Sequence, residues 1–276
     1  DSNGDGIPDN CTSVTDQIDN VPGAFEAGSI LKTTSPDSRR IGFWSDGGTI
    51  GTVESGEFVK LVKDDGTQAA YFAPMWSYGS SDVCDVACAK AVMKYILGYD
   101  RPNGKNYTIR QSVTTGTDLT NTWKLGDIIF SSPRIWPDRG ANGYVERYGD
   151  STYRAFIENT IQNKTPLVIA GANDGLVHAF RVGKYSQINP PTTPKTIGRL
   201  DAVDTAPSGL TNVGDEVWAY MPKNVIPYLR WYCDRESCHI PLVDSTMQIV
   251  DASVNGAATG TKDATTWRRL LIGTMG

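Results

Sequence analysis

The chain has 276 residues, room for one large domain or two modest ones, and its 39% hydrophobic and 21% charged content suits a protein that buries a core. A formal net charge of -5 supplies no basic surface for phosphate, which argues against nucleic-acid binding, and no run of about 18 apolar residues offers a membrane span. With 28 glycines, 15 prolines, 12 tyrosines and only 2 histidines, the composition favours short strands and many turns, and it is too poor in histidine for a multi-haem or His-rich metal protein.

Residues 1–22 are polar and rich in Gly and Asp. Asp1, Asn3, Asp5 and Asp9 place oxygen side chains at the first, third, fifth and ninth positions of a loop, with Gly6 at the sixth and the carbonyl of Ile7 at the seventh. That spacing wraps an oxygen cage around a hard cation, and calcium is the expected ion. Thr12 stands where a bidentate Glu is usual, with Asp16 or Asp19 as substitutes, and the alternative is a solvated acidic linker. The motif also resembles the acidic repeats of thrombospondin type 3. Because the chain starts inside this loop with no leader ahead of it, it reads as a mature or trimmed piece.

Five cysteines fall as two local pairs, Cys84 with Cys88 and Cys233 with Cys238, and one remainder, Cys11. Local pairs in a Gly- and Tyr-rich chain suggest disulfides and an oxidising compartment, although i, i+4 spacing strains a bridge on a regular helix. Cys11 is either free or paired with a segment not included here.

Residues 24–34 are partly amphipathic. Residues 40–62 carry two apolar runs around DGGTIGT and predict a hairpin, with a turn at KDDG, 63–66. Residues 83–97 give the best helix: Val83, Val86, Ala87, Met93, Ile96 and Leu97 recur every three or four positions, and Gly98 sits where a C-terminal cap belongs. A polar loop over 101–122 and a short helix over 153–163 follow. From 167 the pattern changes to strands: 167–170, a turn over 171–175, 176–182, then a proline-rich loop over 183–213 and a strand over 215–221. Pro222 opens a short helical stretch, and strands at 247–254 and 267–272 flank a long hairpin tip. Short strands joined by Gly/Asp turns, with no βαβ rhythm, point to antiparallel all-β structure.

Asn173, Asp174 and Gly175 tolerate the positive φ of a tight turn. In the strand that follows, Leu176, His178 and Phe180 share one face and Val177 and Ala179 the other, so His178 is expected to be a hydrogen-bonded structural histidine. Trp218 and Tyr220 alternate onto one face as expected core aromatics.

GANDGLVHAF at 171–180, followed by GDEVWAYMPKNVIPYL at 214–229, resembles the propeller of the PilC/PilY family found at type IV pilus tips. AFEAGSIL with RRIGFW, KLGDIIFSSP at 124–133, HIPLVD at 239–244 and DATTWRRLLIGTMG at 263–276 resemble further segments of that family in the same order, so the likeness spans about residues 24–276. The resemblance implies a mainly β fold: an acidic calcium-type loop and linker over 1–23, then part of a β-propeller over 24–276, with antiparallel blades and a few short helices. His178 would then lie in a layer between blades. It implies a pilus-associated adhesin or biogenesis factor at the bacterial surface or pilus tip, binding minor pilins and a surface or host ligand. The family's propeller continues past the Trp-Arg strand and carries a calcium loop there, so the expected remainder is the missing part of this propeller or a partner.

Two other readings compete. GxxDGxxHAF also resembles repeats of quinone-dependent propeller dehydrogenases. Cys233 and Cys238 followed by His239 match a rare spacing for covalent haem, with His239 and His178 as axial ligands. No GxSxG, HExxH, Walker or nucleotide-binding glycine pattern occurs, and no enzyme is expected.

Overall fold

A computed structural model describes residues 26–43, 59–60, 66–99, 122–187, 198–201, 212–233, 240–254 and 261–275, with backbone alone at 59–60, 184–187 and 198–201. In chain order the helices are Ala27–Thr33 (α1), Gly66–Phe72 (α2), Val86–Leu97 (α3), Tyr144–Tyr148 (α4), Ser151–Phe156 (α5) and Ile226–Tyr232 (α6). The strands are Ile41–Phe43 (β1), Val59–Lys60 (β2), Arg134–Trp136 (β3), Leu167–Gly171 (β4), Val177–Arg181 (β5), Lys184–Gln187 (β6), Gly198–Asp201 (β7), Glu216–Met221 (β8), Met247–Ser253 (β9) and Trp267–Gly273 (β10).

Six strands form one sheet in the order β2-β1-β8-β5-β4-β3, while β9 with β10 and β6 with β7 form separate hairpins. The neighbours in the large sheet are antiparallel except β1 and β8, which run parallel with Ile41 opposite Ala219 and Phe43 opposite Met221. The chain is therefore mixed α/β, which corrects the expectation of a mainly β, wholly antiparallel fold. The described residues form no ring of blades.

The β4–β5 hairpin is the sheet's centre of gravity. It turns through Asn173–Asp174–Gly175, where Gly175 takes φ 85°, a left-handed value that a β-carbon disfavours. All five residues of β5 are buried, so both faces of the strand are covered. Between Ala179 and Phe180 the register with β8 slips by one: Ala179 pairs with Trp218, but Phe180 pairs with Glu216. This bulge at Val217 moves Glu216 onto the face shared by His178 and Phe180; a regular strand would have put Val217 there. Beyond the bulge the register is regular: Trp218 and Tyr220 are half-buried and pack against the core, while Ala219 and Met221 on the other face are buried, so the two aromatics border the core that alternation places them in.

Helices α2, α3 and α6, with the 3-10 turn Ala73–Trp76 that follows α2, pack on the sheet through Phe72, Trp76, Val92, Ile96, Ile226 and Leu229, all buried. Helix α3 begins at Val86, where the Asp85 side chain accepts from the Cys88 amide at 2.8 Å. The inward face is Ala89, Val92, Met93, Ile96 and Leu97, while Val83, Val86 and Ala87 are exposed, so the expected helix is three residues too long at its start. Cys84 lies before the helix cap and bonds to Cys88 across a Cα–Cα distance of 5.3 Å. The objection to an i, i+4 bridge falls away because only one of the two residues is helical.

A smaller cluster of Tyr153, Phe156, Ile161 and Trp267 lies between α5, the π-helical turn Ile157–Ile161 that follows it, and β10. Asp251 on β9 fastens this layer. Its carboxylate accepts from Arg269 Nε at 2.7 Å, from the Tyr153 hydroxyl at 2.6 Å and from the Ala141 amide at 2.8 Å. Burial and the neighbouring Asp251 push the Tyr153 phenol well above its ordinary value, so it stays a donor.

Candidate binding face

Four buried charges meet above the β4–β5 turn. Arg39 grips Glu216 with two hydrogen bonds, Nε to Oε2 at 2.8 Å and Nη2 to Oε1 at 2.9 Å. Its remaining nitrogen, Nη1, donates to the carbonyls of Ile96 and Leu97 at 3.1 Å each, satisfying the end of α3. Glu216 Oε1 lies 2.7 Å from His178 Nδ1, and Asp174 Oδ2 lies 3.0 Å from His178 Nε2. Asp174 also accepts from the amides of Gly126 at 2.9 Å and Leu176 at 3.0 Å. None of the four charged residues is more than 4% exposed.

Burial alone would push the His178 imidazole down, but Asp174 and Glu216 on either side overcome it and raise the group from 6.5 to about 9. Burial likewise opposes ionisation of Glu216 and Asp174, and here Arg39 and His178 win, holding both carboxylates below their ordinary values. The row therefore alternates in sign and sums to zero, the condition under which buried charge is tolerated. It has no open side, so it works as a lock between β5, β8, α3 and the segment before β1. Both ring nitrogens of His178 are engaged, which leaves none for iron.

The lock has a pH signature. A histidine raised on folding stabilises fully below about pH 6.5 and loses that contribution as pH climbs toward about 9. The unfolding midpoint of the chain is expected to fall across that interval in thermal scans at fixed ionic strength, and His178→Gln is expected to flatten the slope. Unchanged pH dependence in the variant would place the titration elsewhere.

The second feature is an apolar loop fixed by a carboxylate. Asp244 accepts from three consecutive amides, Ile129 at 2.7 Å, Phe130 at 2.8 Å and Ser131 at 2.6 Å. These bonds outweigh burial and hold its pKa below the usual carboxylate range. Asn173 completes the anchor: its Nδ2 donates to Asp127 at 2.7 Å and to Asp244 at 3.2 Å, and its Oδ1 accepts from Leu242 at 3.1 Å. The backbone of 126–131 is thus held from several sides, yet Ile129 is 60% and Phe130 69% exposed. Ile135, on the edge strand β3 just beyond, is 61% exposed. Rigid backbone with large apolar side chains in water is the arrangement of a binding surface, since loose apolar loops would fold inward.

The metal ligands expected from sequence, Asp1, Asn3, Asp5, Ile7 and Asp9, lie outside the described residues. So do Cys11, Cys238 and His239, and with them the Cys233–Cys238 pairing; Cys233 itself is buried at the end of α6. Among the described residues, no group of three or more His, Cys, Asp or Glu side chains is arranged to hold a metal, and no helix is long and apolar enough to cross a membrane. Sequence reasoning noticed segments 124–133 and 239–244 but did not see that Asp244 joins them, nor that Glu216 and Asp174 flank His178.

Fold and site together define a mixed α/β domain with a charge-locked sheet and an outward apolar loop. No family model and no solved structure matches the chain. Among curated proteins it is similar to two from Xylella fastidiosa (strain Temecula1), each described as a type IV pilus biogenesis factor PilY1 homolog. One is 29% identical over 154 residues, covering 55% of this chain and 10% of the relative; the other is 28% identical over 159 residues, covering 55% and 8%. The likeness to PilY1-like proteins is distant, and the chain spans at most a tenth of the length of these relatives.

Proposed function

We propose that the chain is a binding segment of a type IV pilus biogenesis protein, working at the cell surface through contact with other pilus subunits and not through catalysis. The observation that carries this reading is the loop at 128–130, fastened by Asp244 while Ile129 and Phe130 stand in solvent. The similarity to the two PilY1 homologs supports the pilus setting. The Cys84–Cys88 bridge suits an oxidising compartment outside the cytoplasm. Minor pilins are the partners this reading favours, with tip adhesion to a surface or host ligand as its extension. A propeller completed by further chain, and calcium held by Asp1–Asp9, belong to the same proposal.

The test is co-purification of purified minor pilins with the chain, compared with the Ile129→Ser, Phe130→Ser double variant. Both positions are exposed, so unfolding stability is expected to move by no more than about 0.5 kcal/mol, while capture of the pilins falls by about tenfold or more, the loss of one apolar hot spot. A variant that captures the pilins as the parent does would remove this loop from the proposal.

A further inference from the structure

A second surface feature uses none of these residues. Helix α4 and the β9–β10 hairpin bound an open cleft of about 520 Å³, whose lining includes Tyr144, Tyr148, Asp150, Ser253, Lys262 and Trp267. Such a volume lies within the ~300–1,000 Å³ of small-ligand sites. We propose that this cleft takes a pyranose ring of a neutral oligosaccharide.

One wall is aromatic and open. Tyr144 and Tyr148 are one helical turn apart, their rings stacked with centroids 6.3 Å apart and planes at 30°. Tyr148 is 74% exposed, whereas Tyr144 and Val145 of the same helix pack against the small core cluster. Flat aromatic faces of this kind match the C–H face of a sugar ring.

The other wall is polar and neutral. Lys262 forms an ion pair with Asp150 and sits 4.7 Å above the centroid of the Trp267 ring. Asp150 is already committed as the cap of α5, accepting from the amides of Thr152 at 3.0 Å and Tyr153 at 3.1 Å. Against its burial, Lys262 and these local bonds hold the carboxyl down at about 2, so it stays ionised. The Ser253 hydroxyl pairs with that of Thr266 at 2.7 Å and closes the wall. An anionic ligand would find the charge of Lys262 already neutralised and a carboxylate beside it, and a metal ion would find a single carboxylate whose oxygens are taken. Hydroxyl groups both donate and accept, so they add to the pair without dismantling it: the ammonium has three donors, and one serves Asp150. Apolar face on one side and neutral ion pair on the other therefore select an uncharged polyol with a flat C–H surface.

The experiment is calorimetric titration of the intact chain, with intrinsic tryptophan fluorescence in parallel, using lactose, maltotriose, cellotriose and chitotriose and the acidic sialyllactose as comparator. At least one neutral saccharide is expected to bind saturably, and Tyr148→Ala to weaken it about tenfold or more with the unfolding midpoint unchanged, since the side chain is exposed. Lys262→Met is expected to weaken the same saccharide. The proposal is overturned if no neutral saccharide saturates by about 20 mM, well past a ~1 mM weak site, if sialyllactose alone binds, or if Tyr148→Ala binds as the parent does.

Discussion

Replacing Glu216 by alanine is expected to remove about 3–5 kcal/mol of folding stability, the scale for breaking a buried charge pair. The carboxylate serves two cations at once, the bidentate Arg39 and the imidazolium of His178. Its loss leaves both charges buried, and no water reaches residues that are 2% and 0% exposed. Glu216→Gln is the informative companion. It keeps the shape and one acceptor oxygen but drops the charge, so its cost should fall between that of the alanine variant and zero. Guanidinium or urea midpoints, with slopes checked for constancy, measure both. If Glu216→Ala costs less than about 1 kcal/mol, in the range of exposed ion pairs, the row is not a lock.

The next largest effect is expected at Gly171. A β-carbon there would lie 2.0 Å from the Val243 carbonyl oxygen and 2.8 Å from Met247 Cε. The oxygen belongs to backbone that cannot slide, because Asp244 next to it is tied to the amides of 129–131 and the Ser245 amide donates to Val243 at 2.8 Å. The Gly171 amide also donates to Ser131 Oγ at 3.1 Å. Gly171→Ala should therefore destabilise by about 2–3 kcal/mol, the upper end for overpacking. It should also speed hydrogen exchange at the amides of Ile129, Phe130 and Ser131, because the strain runs through their anchor. A variant as stable as the parent, with those amides still protected, would show that the end of β4 and residue 243 are not in contact.

Several elements were legible in the sequence. The apolar runs at 167–170 and 176–182, joined by Asn-Asp-Gly, became β4 and β5, and the hairpin expected over 40–62 appears as β1 paired with β2. The strands at 247–254 and 267–272 became the β9–β10 hairpin. Local rules suffice where partners are close in sequence. They failed where the partner is distant: the parallel pairing of β1 with β8 leaves no mark in either segment. The β6–β7 hairpin lay hidden in a proline-rich stretch read as loop, and α2 begins at the end of the turn expected over 63–66 and runs through residues for which no element was expected. His178 was legible as a hydrogen-bonded structural residue, but its two carboxylates were not. Glu216 reaches it only through the bulge at Val217, and alternation would have turned it away. The binding loop shows the same limit. Within KLGDIIFSSP, Gly126, Asp127 and Ser131 are the anchored residues, whereas Ile129 and Phe130 between them protrude, and nothing in the local pattern separates the two kinds.

The pairing of Ile41–Phe43 with Ala219–Met221 also dictates when the sheet can close during biosynthesis. Arg39 meets Glu216 across 177 positions of sequence. At ~5–20 residues per second, a ribosome needs on the order of ten seconds or more to deliver the second after the first. Throughout that interval the amino-terminal strand has an open edge and a guanidinium with no carboxylate to receive it. A product truncated before residue 216 lacks both the parallel partner of that strand and the carboxylate that receives Arg39.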